Sequence, residues 1–187
     1  MSQKSDFSRE TDTQSPFLSR FEMDQNLRII GQVGVNSLKG THSIVRKCKS
    51  KLDGKHYAVK IIRSEDEEMY IHMEREFKIM QNLNGHPNIV QGIECISEMA
   101  KCRGYLIMEL VEGQHLWSKV CQDGPFQEKE ARAIFRIIIQ ALEYMHERKV
   151  VHRDFNPTNV FLNLQNEIKI LDFNVSKIID ENGKEEE

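Results

Sequence analysis

Apolar positions along this chain alternate between two periods. Leu27 to Gly34 and Thr41 to Lys49 read as two strands around a glycine-bearing turn. Asp53-Gly54 is a hairpin signal that leads into a third strand, His56 to Ile62. The period then lengthens. Met69, Met73, Glu76 and Met80 fall at helical spacing within Glu65 to Leu83, which places Glu76 on the inward face, and Asn84-Gly85 stops the helix. Ile89 to Ser97 and Tyr105 to Leu110 read as strands joined by a charged turn, Glu98 to Gly104. Glu112-Gly113 reads as a hinge before a short helix, Leu116 to Val120. Gln127 to Arg148 is the clearest helix: Ile134, Phe135, Ile138, Ile139, Leu142 and Met145 form one stripe, which Ile137 and Ala141 widen until it nearly encircles the helix. A helix that apolar belongs inside a core. Val160 to Leu164 and Glu167 to Leu171 are short strands around Gln165-Asn166. No internal repeat is visible, and the order of elements predicts an α+β protein.

Composition narrows the function classes. With 187 residues the chain can bury a sizeable core, and its net charge of -3 supplies no field of one sign for a nucleic-acid partner. The longest apolar candidate, Ile134 to Leu142, contains Arg136 and Gln140, so no membrane span is expected. Met1 to Ser15 is polar and mixed in charge, with no signal-peptide core, and is expected to be disordered. Pro16-Phe17-Leu18 and Phe21 add a small apolar cluster able to dock on the domain. The four cysteines show neither a C-x-x-C pair nor zinc spacing, so they read as reduced thiols in the cytoplasm, with the nucleus left open.

The chemistry concentrates late in the chain. His152-Arg153-Asp154-Phe155-Asn156-Pro157-Thr158-Asn159, followed by Asp172-Phe173-Asn174, sets a carboxylate, an amide and a second carboxylate in fixed order around a short strand pair. Such a set can hold a hydroxyl, two magnesium ions and a triphosphate. The string resembles the protein-kinase catalytic loop H-R-D-x-x-x-x-N followed by D-F-G. Tyr57-Ala58-Val59-Lys60 resembles the kinase strand-3 lysine motif, and Glu76, in Arg75-Glu76-Phe77-Lys78-Ile79-Met80, stands where the partner glutamate of the family's helix C belongs. Four motifs in family order, spread from about Leu27 to about Ile179, identify a resemblance to the protein kinase domain.

That resemblance implies two lobes around a cleft: a disordered head over 1–26, a small lobe over 27–110, and a hinge with part of the large lobe over 111–187. It implies ATP and Mg2+ as cofactors. Lys60 would hold the α- and β-phosphates and pair with Glu76, with Glu74 as a competitor. Asp154 would orient the substrate hydroxyl and accept its proton, and Asn159 and Asp172 would hold the metal ions. Val45 and Ala58 would cap one face of adenine and Phe161 the other, with the backbone of Glu109 and Val111 offered at its edge. Read without the family, Lys60 is an exposed strand lysine, and the aspartates are turn formers or caps.

The departures bear on activity. Aligned from Lys60, the glycine-rich loop becomes Leu38-Lys39-Gly40-Thr41-His42-Ser43, in which only Gly40 survives, so a weaker grip on ATP is expected. Asn156 replaces the lysine that serine/threonine kinases set against the transferred phosphate, which predicts slower chemistry. Asn174 replaces the glycine after Asp-Phe, where a left-handed backbone is expected. His115 stands in place of the ribose-binding glutamate. The chain stops at Glu187, which by resemblance leaves the Gln127 to Arg148 helix uncovered and predicts a protein substrate or partner over it, or a longer product. The leading reading is a serine/threonine protein kinase, a class favoured by Pro157. A pseudokinase acting as a nucleotide-binding or interaction module is the alternative, and an incomplete product without function is a third.

Overall fold

The computed structural model describes residues 15–28, 42–165 and 167–180. A five-stranded antiparallel sheet in the order β1-β2-β3-β5-β4 forms the first lobe. Its strands are β1 (Phe21–Arg28), β2 (His42–Ser50), β3 (His56–Arg63), β4 (Gly92–Glu98) and β5 (Arg103–Glu109). The β2–β3 hairpin turns at Gly54, whose φ of 69° suits a residue without a Cβ. Helix α2 (Glu68–Asn82) packs on one face of this sheet through Tyr70, Met73, Ile79 and Met80. It starts three residues later than the apolar pattern predicts, because Ser64 Oγ accepts from Asp66 N and Asp66 Oδ1 accepts from Glu68 N.

Residues 15–26 depart from the expected disordered head. Pro16–Arg20 form a short helix, α1, and β1 begins at Phe21 rather than at Leu27. Phe17 is fully buried in a second core on the opposite face of the sheet, with Cys48, Val59, Ile61, Tyr105 and Ile107. Local composition argues for disorder, but aromatic burial outweighs it. The expected strand from Leu27 to Gly34 lies largely outside the described residues, as do Gly40 and the head before Ser15.

The second lobe opens with β6 (Gly113–His115), α3 (Leu116–Asp123) and α4 (Glu128–Glu147). β8 (Val160–Asn163) pairs with β6 and with β9 (Ile168–Ile170), and β7 (Val150–Val151) pairs with β10 (Lys177–Ile178). A capping box between Gln127 and Glu130 fixes the start of α4. The helix buries Ile138, Ala141 and Met145 but leaves Phe135 65% and Ile139 47% exposed. The expectation that its whole girdle lies in a core therefore holds for one face only among the described residues. No helix among them is long and apolar enough to cross a membrane.

The lobes share one core, in which Met80, Leu83, Ile89 and Leu106 meet Ala141, Met145, Ile170 and Phe173. The main chain also crosses between them: Val90 N donates to Ile170 O at 3.0 Å and Ile170 N to Asn88 O at 2.8 Å. At the hinge Gly113 lies so close to β8 that a Cβ there would overlap the Leu162 carbonyl oxygen and approach Asn163 Cα at 2.7 Å. Both are backbone atoms and cannot rotate away. Gly113→Ala is accordingly expected to cost about 1–3 kcal/mol, the usual range for overpacking, and urea unfolding of the variant measures it. An unchanged midpoint would mean that β6 can detach freely.

Candidate active site

Strand alternation sets the small-lobe wall of the cleft. Lys60 lies opposite Val45 on β2 and two residues from Ala58, so all three share one face of the sheet. Glu76, on the inward stripe of α2, meets that face. Lys60 Nζ donates to Glu76 Oε2 at 2.7 Å and to Oε1 at 3.0 Å, and both side chains are largely buried, 13% and 6% exposed. Glu74 faces elsewhere and accepts from Ser97 Oγ. From the other lobe, Asp172 Oδ1 lies 3.9 Å from the same ammonium. Burial disfavours the Lys60 charge, but the Glu76 and Asp172 carboxylates outweigh it and hold its pKa above the usual lysine value.

Asp154 and Asn159 come together in the loop between β7 and β8. Asn159 Nδ2 donates to the Asp154 carbonyl at 2.8 Å and to Oδ2 at 3.0 Å. Asn156 Nδ2 reaches Oδ1 of the same carboxylate at 3.1 Å, while its own oxygen accepts from Thr158 N at 2.9 Å. Two amides therefore grip the two carboxylate oxygens of Asp154, an arrangement that the motif string does not announce. Asn159 N–H and C=O are tied to Asn156 and Leu171, which fixes the loop against the Asp172 segment.

His152 and Phe173 support this loop from below. His152 Nε2 donates to Leu171 O at 3.0 Å, its carbonyl accepts from Ser176 Oγ, and its ring packs against Phe173. The left-handed residue of the segment is Asp172 itself, with φ of 65°, and Arg153 shares that conformation at 66°. Asn174 is not among the positive-φ residues, which corrects the expectation placed on it. Its replacement of glycine requires no left-handed backbone. The strain sits on the aspartate, a position over-determined by its neighbours.

The adenine-wall residues are more dispersed. Ala58 and Phe161 are buried, and Phe161 points away from Val160 and Leu162, which pack on α4; its ring meets the His115 ring edge-on at 4.5 Å. Glu109 N donates to Gln91 O, and its carboxylate pairs with Lys169 at 2.7 Å. Val111 packs against the shared core. A groove of about 460 Å³ opens behind the hinge between Lys47, His56, Glu112 and Lys169, and the Lys60, Asp154, Asn159 and Asp172 side chains take no part in it.

The donor set fits a magnesium ion. Asn159 commits its nitrogen to Asp154, so its oxygen is the atom left for a cation, and Asp172 adds a carboxylate. Both are hard oxygen donors. No cluster of three or more His, Cys, Asp or Glu suited to a metal occurs among the described residues. Two protein oxygens without a full cage suit Mg2+, which keeps water and phosphate oxygens in its shell.

The family model of the protein kinase domain matches residues 29–187. The chain belongs to the protein kinase family. The kinase domain is 35% identical over 143 residues to the serine/threonine-protein kinase PEPKR2 of Arabidopsis thaliana, covering 76% of this chain and 29% of that protein. It is 35% identical over 141 residues to the CBL-interacting serine/threonine-protein kinase 9 of the same plant, covering 74% and 31%. It is 38% identical over 135 residues to sperm motility kinase 2B of Mus musculus, covering 72% and 27%. The chain thus spans less than a third of each of these three relatives.

Burial pulls the pKa of His86, His115 and His152 below the ordinary histidine value. Their unfolded value is about 6.5, so below that pH the unfolded kinase domain binds more protons than the folded one. Their contribution to stability is full above about pH 6.5 and is lost as the pH falls toward the folded values. The thermal midpoint is expected to drop between about pH 7 and pH 5.5, with a shallower drop in His152→Asn. Equal midpoints at both pH values would show that these rings take up protons without cost.

Proposed function

We propose that this chain binds ATP with Mg2+ between its lobes and transfers the γ-phosphoryl group to serine or threonine hydroxyls of a protein substrate. One observation carries the reading: a small-lobe ammonium, paired with a helix carboxylate, stands 3.9 Å from a large-lobe carboxylate. In this reading Glu76 holds Lys60 extended into the cleft, and Lys60 binds the α- and β-phosphates. Asn159 Oδ1 and Asp172 hold the metal, which when bound neutralises phosphate charge. Asp154 orients the acceptor hydroxyl and takes its proton, while Asn156 and Asn159 fix the carboxylate's direction. Val45, Ala58 and Phe161 bracket the adenine ring, with Glu109 and Val111 at its edge and Gly40 in the phosphate loop. Four free cysteines fit a reducing compartment such as the cytoplasm.

A pseudokinase is the second reading, favoured by the double grip on Asp154. Both carboxylate oxygens of Asp154 already accept from Asn156 and Asn159, so a substrate hydroxyl must compete with these amides for them. Thermal shift with Mg-ATP, followed by phosphate transfer from labelled ATP to a serine peptide, tests both. A raised midpoint with transfer supports the enzyme. A raised midpoint without transfer supports the pseudokinase, and no shift overturns the nucleotide site.

A further inference from the structure

Helix α1 sits on the outer face of the small-lobe sheet, away from Lys60. Five residues are too few to hold a helix by themselves, so docking holds this one. The Phe17 ring stacks on Tyr105 with centroids 4.2 Å apart. At the start of α1, Ser15 is only 1% exposed. Its Oγ accepts from Leu18 N and donates to Glu98 Oε1, which also accepts from Phe17 N. Glu98 is 8% exposed, and its second oxygen has no hydrogen-bond partner among the described residues. Ser15 directly precedes Pro16.

We propose that Ser15 is a phosphorylation site for a proline-directed protein kinase, and that its phosphorylation releases α1 from the sheet. In the step, Ser15 Oγ bonds to the γ-phosphorus of ATP as that phosphorus separates from the bridging oxygen of ADP. ADP leaves, and the hydroxyl proton passes to the base of the modifying kinase. A modifying enzyme must enclose the serine, so it reaches Ser15 only while α1 is undocked. The product cannot return. Phosphoserine carries roughly -1.5 to -2 charge near pH 7, and redocking would press it against the Glu98 carboxylate in a space that already lacks a donor for one oxygen. Arg103 lies opposite Glu98 in the β4–β5 register and Arg63 opposite Arg103, while Lys51 Nζ donates to Leu18 O, so cations flank the docked helix. Capture of the phosphate by them would hold α1 in place, which is the contrary result.

The full chain is incubated with ATP and a proline-directed kinase, and Ser15 is followed by mass spectrometry and the α1 amides by hydrogen exchange. Phosphate at Ser15 together with loss of protection at Leu18 and Ser19 supports the proposal. Phe17→Ala, which undocks α1 without touching the serine, is expected to raise the rate of Ser15 modification several-fold. Ser15→Glu is expected to lose the same protection, and Glu98→Gln in that background to restore part of it. The proposal is overturned by absent modification in the Phe17→Ala chain, or by a phosphorylated chain whose α1 amides stay protected.

Discussion

Lys60→Met is expected to abolish the thermal stabilisation of this chain by Mg-ATP and to destabilise the nucleotide-free protein as well. The second effect follows from burial. Glu76 is 6% exposed and takes both of its close charge contacts from one ammonium. Removing that ammonium leaves a carboxylate in a low-dielectric site, a loss of about 3–5 kcal/mol for buried pairs of this kind. Glu76 then holds a proton more tightly when folded than when unfolded. The variant's stability deficit therefore shrinks below the unfolded glutamate value of about 4.3 and grows as the pH rises through the raised folded value. Adding Glu76→Gln restores most of the stability but none of the nucleotide response. Calorimetry with and without Mg-ATP separates the two quantities, and a Lys60→Met chain that still gains stability from Mg-ATP would remove Lys60 from the phosphate site.

Asp154→Asn is expected to lower phosphoryl transfer by about 10²–10⁴-fold, the range for loss of a positioned base, while the Mg-ATP thermal shift is retained. The carboxamide keeps the shape of the side chain but offers one acceptor where two amide groups, from Asn156 and Asn159, now donate. One of those contacts must turn away. Asn156 and Asn159 both also bond the residue-154 carbonyl, at 3.1 and 2.8 Å, so the amide that lets go of the side chain keeps that backbone bond. Transfer at the parent rate would show that the hydroxyl proton leaves by another route.

Long periodic elements were legible in the sequence because their burial follows a fixed period. The 3.6-residue stripe that runs through Met73 and Glu76 placed Glu76 inward, whereas Lys60, Ala58 and Val45 were placed by the family resemblance, and strand pairing sets them on one face. The two-residue strands β7 and β10 carry no period, and their pairing is decided by the loop that returns from Asp172. The docking of Phe17 and Phe21 was legible as an apolar cluster, but the helical form of α1 was not, because it is held by Tyr105, nearly ninety positions away. The grip on Asp154 depends on how Asn156 to Asn159 turns, and composition alone does not report that turn. The left-handed backbone was expected at Asn174 because glycine holds that place in the family, whereas here Asp172 adopts it.

The paired amide bonds between 88–90 and Ile170 give the cleft a ruler made of main chain. Ile170 stands two positions before Asp172, and residue 90 leads into β4, which lies beside β5 and so within one strand of Lys60. The spacing between Lys60 and Asp172 is thereby written in peptide groups, which every amino acid but proline supplies. The buried Ile89, Val90 and Ile170 side chains then lock this splice from within the core.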